Sequence, residues 1–327
     1  MLLRLTFPFI FALSITASPD QKINPTPSNT EKSVVITMDD LPGAEFGSDD
    51  SLGAINDLSR RNRATVRVFR AHHVPALGLV NEFKVQVAGE RDARSAILED
   101  WNSAELELGN HTYSHLHFNE TTLQAYEDDT VRGEVVTAQI LKARGKQERY
   151  FRHTALQTGR TPEEQRTFDA FLVDRGYQVA PVSLYIGDVR FNDVMGDALS
   201  RGDLTTAQIS REAYVRHALR MFDYAAEVSK GLFHREIPQI VLVHDNQINS
   251  EMMDDLLTRL EQRGYRFVSL DEALRDPAYG SRESFKGNLD RCYLCWDDRF
   301  RAVGKTLPPP PDLPEWVNKR FHEIRGK

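Results

Sequence analysis

Short β-branched or apolar runs alternate with longer segments of helical character along most of this chain, which is the pattern of a parallel sheet with crossover helices. Strands are predicted at Val34 to Met38, Val74 to Val80, Leu106 to Leu108, Arg149 to Arg152, Tyr177 to Leu184, Ile240 to Val243 and Tyr265 to Leu270. Between them, helical patterns cover Asn56 to Ala71, Glu120 to Arg144, Pro162 to Arg175, Ala207 to Lys230 and Met252 to Arg263, the last stopped by Gly264. The fold class is therefore α/β. Polar clusters fall just after the strand ends, where parallel α/β barrels and open sheets place ligands and catalytic groups.

At 327 residues the chain can bury a large core without disulfides, and 40% hydrophobic residues place it among ordinary globular proteins. A formal charge of −7, from 41 basic against 48 acidic residues, gives no electrostatic reason to meet nucleic acid, so no nucleic-acid partner is expected. Met1 to Ala17 has one Arg, an 11-residue, mostly apolar stretch from Leu5 to Ile15, and small residues at Ala17 and Ser18. This is a secretory signal pattern, too short for the roughly 20 residues of a membrane-spanning helix. The expected organisation is a signal peptide over 1–17, a flexible leader over 18–32, a catalytic domain over 33–275 and a C-terminal extension over 276–327 containing Pro308 to Pro311. A secreted or periplasmic protein without a membrane span follows, and in an oxidising compartment Cys292 and Cys295 read as a small local disulfide rather than a redox pair or half of a zinc site.

Several residues at the strand ends carry chemistry. Asp39 and Asp40 close the first strand, and because adjacent strand residues point to opposite sides, two acids serving one site would need different roles. Acid pairs also open ordinary turns. His111 and His115 are four apart, a spacing that on a helical turn puts both imidazoles on one face within reach of one cation, although solvated histidines share it by chance. His117 is spaced poorly for a ligand. Arg152 ends a strand, where its guanidinium can hold a neighbouring carboxylate ionised or simply face water. His244 follows a purely apolar strand and also reads as a satisfied core histidine. Asp188, in Gly-Asp-Val-Arg-Phe, reads first as a turn acid.

In this order the residues resemble the polysaccharide deacetylase family, the carbohydrate esterases with the NodB homology domain, over about residues 33 to 275. Thr37-Met38-Asp39-Asp40 resembles the first motif, with Met for Phe; Asn110-His111-Thr112-Tyr113-Ser114-His115 matches the second closely; Phe151-Arg152 opens the third; and Leu242-Val243-His244 matches the fifth. The resemblance implies a distorted (β/α) barrel with a C-terminal extension. It also implies Asp40, His111 and His115 as ligands of a divalent metal, Asp39 as general base, His244 as general acid, Arg152 orienting Asp39, and Asp188 assisting His244. Zinc suits these ligands; cobalt or nickel would be tolerated. The sequence departs from the family at His153-Thr154-Ala155, where Pro usually follows the Arg, and at Tyr185 and Val189, where the fourth motif usually has Asp and an aromatic.

Amide hydrolysis needs a better electrophile and a better nucleophile at one place, and a divalent cation with open coordination positions supplies both. The expected function is a secreted, metal-dependent hydrolase removing acetyl groups from N-acetylated glycans such as peptidoglycan or chitin-like oligomers, with O-acetylated glycans chemically accessible. The alternative, prompted by the altered third and fourth motifs, is a catalytically weak or silent glycan-binding protein that keeps the barrel and the metal site. Trp296 and Phe300 in the extension are expected to pack against the barrel rather than stack on sugar rings.

Overall fold

The first strand sets the architecture. β1 (Lys32–Leu41) is buried along almost its whole length, so its Val-Val-Ile-Thr-Met run is a central strand covered on both faces. The computed structural model describes residues 32–44, 53–280 and 304–326. The predicted signal peptide, nearly all of the leader, Cys292, Cys295, Trp296 and Phe300 lie outside the described residues.

β2 (Leu77–Val80), β3 (Glu107–Asn110), β4 (Tyr150–Phe151) and β5 (Gln178–Val179) follow in order on one side of β1. On its other side are β7 (Gln239–His244) and then β6 (Leu184–Tyr185), and β8 (Tyr265–Phe267) pairs with the start of β1. Every pairing among the described residues is parallel. Among the described residues β5 and β6 do not pair with each other, so the sheet curls into a half-barrel rather than a closed ring. The distorted barrel expected from the resemblance is the fold observed.

Helices surround the sheet: α1 (Ile55–Ala71), α2 (Arg91–Ser103), α3 (Leu123–Arg132), α4 (Val135–Lys142), α5 (Pro162–Asp174), α6 (Asp188–Ser200), α7 (Leu204–Phe233), α8 (Gln247–Gln262), the short α9 (Leu270–Ala273) and α10 (Glu315–Ile324). Their starts are set by local chemistry. Thr122, Thr161, Asp203, Asn246 and Ser269 each accept a backbone N–H of the first turn of the helix that follows.

Two expected elements are corrected, and both corrections shape the site. The helix predicted over Glu120 to Arg144 is two helices, α3 and α4, parted at Gly133. A Cβ at Gly133 would stand 2.8 Å from the Thr112 carbonyl carbon and the Tyr113 nitrogen, so the break lets the helix pair press against the His111 to His115 loop. The strand predicted over Tyr177 to Leu184 is two strands, β5 and β6, with Ala180, Pro181, Val182 and Ser183 between them. Pro181 has no N–H for a ladder, and the carbonyls of Ala180 and Pro181 instead accept hydrogen bonds from Arg152 at 3.1 and 3.3 Å.

α6 has no counterpart in the sequence reading. Its Asp, Asn and Gly content gives little intrinsic helix preference, and it forms because Phe191, Val194, Met195 and Ala198 are buried in the main core. The C-terminal residues pack on this helix. Val317 is fully buried, Arg320 pairs with Asp197 at 2.8 Å and Arg325 with Asp193 at 2.7 Å.

Candidate metal centre and acid–base site

Five strand ends deliver the candidate residues to the carboxyl edge of the sheet. Asp39 and Asp40 end β1, His111 follows β3, Arg152 follows β4, Asp188 lies just beyond β6, and His244 ends β7. Asp39 is the register partner of His244.

Alternation alone would turn Asp39 and Asp40 apart, yet both reach the same imidazole. His111 Nε2 lies 3.8 Å from Asp39 Oδ2 and 3.8 Å from Asp40 Oδ1. The register explains this: Met38 pairs with Gly78 and Leu41 with Val80, so β1 spends one extra residue at the acid pair. Asp40 takes φ 71 there. Thr112 (φ 62) and His115 (φ 57) are also left-handed. Such conformations in residues other than glycine cost about 1–3 kcal/mol each and cluster where function holds a side chain in place.

His111 and His115 do not share a helix face, contrary to the helical-turn expectation. Residues 111–117 form no helix. The loop's N–H groups are taken by partners that preclude a helical ladder: Thr112 N–H donates to Asn110 Oδ1 at 2.7 Å, Tyr113 N–H to the Asp129 carbonyl at 3.0 Å and Ser114 N–H to Asp129 Oδ2 at 2.9 Å. The loop still brings the two rings within 5.1 Å, and His115 Nε2 lies 3.5 Å from Asp40 Oδ1.

One ligand atom from each of Asp40, His111 and His115 falls within 4.8 Å of the others. Asp40 Oδ1 is buried and accepts no hydrogen bond. A buried carboxylate oxygen without a hydrogen-bond donor, facing two imidazole nitrogens, is a donor set that fits a divalent cation. His117 stands apart from it, bonded through Nδ1 to Glu120 at 3.1 Å.

The surroundings orient these groups. His111 Nδ1 donates to the Arg152 carbonyl at 2.9 Å, which leaves Nε2 as the acceptor nitrogen toward Asp40. Burial lowers the His111 pKa to about 4, with the His115 charge adding to it and the carboxylates opposing it, so the ring is neutral at pH 7. Burial works to raise the Asp40 carboxyl, but the charges of Lys84, His115, His244 and His111 outweigh it and hold the group well below the usual carboxylate range. Arg152, fully buried, donates from Nη1 to Asp39 Oδ1 and to Thr37 Oγ1, both at 2.7 Å.

Asp188, which alone reads as a turn acid and by the resemblance as a partner of His244, is the completely buried first residue of α6. Gly187 precedes it at φ 74, a left-handed step that glycine takes without a Cβ penalty. Asp188 Oδ1 lies 3.1 Å from His244 Nδ1, and Oδ2 accepts from His244 N–H at 2.8 Å, Asn246 Nδ2 at 2.9 Å and Asn249 Nδ2 at 2.7 Å. Burial opposes charge on His244, yet the Asp188 carboxylate and its hydrogen bond, with Asp40 and Asp39 beyond, raise its pKa to about 10.

Sequence reasoning missed Lys84, Asn81, Asn246 and Asn249. Lys84 is fully buried with Nζ 3.3 Å from the Asp40 carbonyl and 3.8 Å from Asp40 Oδ1. Asn81 Nδ2 donates to the His111 carbonyl at 2.6 Å. Neither belongs to a periodic pattern. The only sequence signal was position, just beyond the second predicted strand.

Residues 26–166 match the family model described as Polysaccharide deacetylase. This part of the chain is similar to the polysaccharide deacetylase family. The matched segment contains Asp39, Asp40, His111, His115 and Arg152, while Asp188 and His244 lie beyond it. Among solved structures, the polysaccharide deacetylase Bc1974 from Bacillus cereus is similar at 15% identity and TM-score 0.52, over 73% of this chain and 92% of that one. PdaA of Bacillus subtilis, a family 4 carbohydrate esterase, is similar at 17% identity and TM-score 0.45, over 76% and 82%. A CE4 family pseudoenzyme from Bacillus anthracis is similar at 14% identity and TM-score 0.48, over 75% and 66%. The Bc1974 likeness carries the fold of polysaccharide deacetylases beyond residue 166. No curated protein sequence matches the chain. No helix among the described residues is long and apolar enough to cross a membrane.

Proposed function

We propose that this chain is a secreted hydrolase that removes acetyl groups from N-acetylated glycans, with Asp40, His111 and His115 as ligands of a divalent cation. The single observation that carries the reading is Asp40 Oδ1, buried, without a hydrogen-bond donor, and facing both imidazoles. A cation held there supplies Lewis acidity toward the acetyl carbonyl and lowers the pKa of a water beside it. Two imidazoles and one carboxylate suit zinc, and cobalt or nickel fits the same donors.

Asp39 is the general base. Arg152 fixes one of its oxygens, and the other faces the His111 side of the site, where it can take a proton from the attacking water. His244 is the general acid. Asp188 keeps it protonated, so it holds a proton at pH 7 to deliver to the leaving nitrogen. Asp39 and His244 stand on neighbouring strands, which supports a base and an acid serving one reacting carbonyl. The products are acetate and a free amino sugar. The signal pattern at 1–17 supports export, which suits peptidoglycan or chitin-like chains as substrate.

Acetate release from N-acetylated chitooligosaccharides and from peptidoglycan, measured before chelation, after chelation and after zinc is restored, tests this reading. Release that chelation abolishes and zinc restores is expected. Unchanged release in chelator overturns the metal site, and no release from either glycan overturns the activity.

A further inference from the structure

His111 and His115 converge because of the residue that follows the first of them. Thr112 is fully buried and left-handed at φ 62, a conformation that β-branched side chains rarely take. Its hydroxyl makes no hydrogen bond, so its own side chain does nothing to offset the cost. The compensation falls on the peptide groups around it, and two fully buried asparagines supply it.

Asn110 Oδ1 accepts the Thr112 N–H at 2.7 Å. Asn81 Nδ2 donates to the His111 carbonyl at 2.6 Å and, less closely, to the Thr112 carbonyl at 3.4 Å. Two successive carbonyls therefore face one amide, which the left-handed step allows and a continued extended strand would not. Buried backbone groups need such partners, so a chain that turned Thr112 back to an extended conformation would lose bonds on both sides of the residue.

Both asparagines are themselves anchored. Asn110 Nδ2 donates to the Thr130 carbonyl at 3.0 Å and to the Tyr177 hydroxyl at 3.2 Å. The Asn81 backbone N–H donates to the Leu41 carbonyl at 3.0 Å, one residue beyond Asp40. Asn81 thus ties the acid end of β1 to the loop that carries both histidines.

We propose that Asn81 and Asn110 are positioning residues that clamp Thr112 in its left-handed conformation and so set the spacing of Asp40, His111 and His115 before a cation arrives. The functional consequence rests on the metal-site reading. Neither asparagine belongs to the candidate donor set, so both act on metal affinity through the loop. The clamp has a specific signature. Glycine takes the same φ without a Cβ penalty, so glycine at 112 makes the clamp dispensable, whereas a role in packing alone would not depend on residue 112.

The test compares four full-length proteins: the wild type, Asn81→Leu, Thr112→Gly and the double variant. Leucine keeps a branched shape and has no donor; Asn81→Ala takes its place if Asn81→Leu does not fold. Calorimetric zinc titration of the metal-free proteins reads affinity, urea unfolding separates it from stability, and crystal structures of the metal-free proteins read φ at Thr112. Asn81→Leu should bind zinc about 10–100-fold more weakly, with Thr112 outside the left-handed region. In the Thr112→Gly background the same change should cost less than about threefold. Wild-type affinity in Asn81→Leu, an equal cost in both backgrounds, or a Thr112 that stays left-handed overturns the clamp; one zinc bound by the wild type then leaves the metal site standing. If the wild type binds no zinc, the metal site is overturned, and Thr112 itself decides the clamp: its displacement in Asn81→Leu supports it.

Discussion

Arg152 holds Asp39 through a 2.7 Å contact from Nη1 to Oδ1, with both side chains buried. The same nitrogen bonds Thr37, and the Arg152 carbonyl accepts from His111. One residue therefore aims the proposed base with its side chain and a proposed ligand with its backbone. Arg152→Lys keeps the charge and the carbonyl but loses the planar fork that reaches Asp39, Ala180 and Pro181 together. We expect kcat/KM to fall by about 10² or more with metal affinity nearly unchanged, because only the aim of the base is lost. Kinetics paired with metal titration checks this, and a loss of metal affinity as large as the loss of rate would contradict it.

Lys84 is a cation already beside the proposed metal ligand. Its ammonium stabilises Asp40 when no metal is bound and repels a divalent ion when one arrives. Lys84→Met should tighten zinc binding by about tenfold or more and lower the melting temperature of the metal-free protein. Competition with a chromophoric chelator reads the first effect and thermal unfolding the second. Weaker zinc binding in the variant would show that Lys84 positions Asp40 rather than competing for it.

His244 should keep its proton far above neutrality. With its pKa raised to about 10 in the fold against about 6.5 when unfolded, its protonation contributes stability that is fully present below pH 6.5 and lost as pH rises toward 10. Asp188→Asn removes the main source of that rise. The His244 imidazole signal, followed by NMR in metal-free protein, should titrate near the alkaline value in the wild type and several pH units lower in the variant. A wild-type midpoint near 6.5 would leave His244 without the proton its proposed role needs.

His153 makes the opposite contribution. It lies in an aromatic cluster, stacked on Phe118 and Tyr126, with Nδ1 lacking a hydrogen-bond partner. Burial lowers its pKa to about 3, helped by the charge of His111. Between pH 6.5 and 3 the unfolded chain takes up a proton that the folded one refuses, so stability falls on acidification by about 1.4 kcal/mol per pH unit for this residue. In urea unfolding, His153→Phe should lose about 2 kcal/mol less than the wild type between pH 6.5 and pH 5. Equal losses would mean that the folded protein accommodates the proton.

Much of this was legible in the sequence because strand ends in parallel α/β folds carry their chemistry in local order. Thr37 to Asp40, His111 to His115, and Leu242 to His244 are legible as candidate sites from the sequence alone. The parts that could not be read depend on contacts far along the chain. The spacing of His111 and His115 suggested a helical turn, but Asp129, on a helix that the sequence reading ran on through Gly133, takes the loop's N–H groups and holds them in an irregular loop. Taken alone, Asp188 reads as a turn acid, and only the resemblance places it beside His244, because α6 owes its existence to burial rather than propensity. Lys84 and Asn249 sit in no motif, and only the folded chain brings them to Asp40 and Asp188.

In the proposed reaction two neighbouring carboxylates divide the work, Asp40 holding the cation and Asp39 moving the proton. Bound zinc and acetate release measured together on Asp39→Asn test it most directly. One equivalent of zinc should be retained, with turnover reduced by about 10²–10⁴. An Asp39→Asn protein that loses its zinc, or that keeps full turnover, would contradict it.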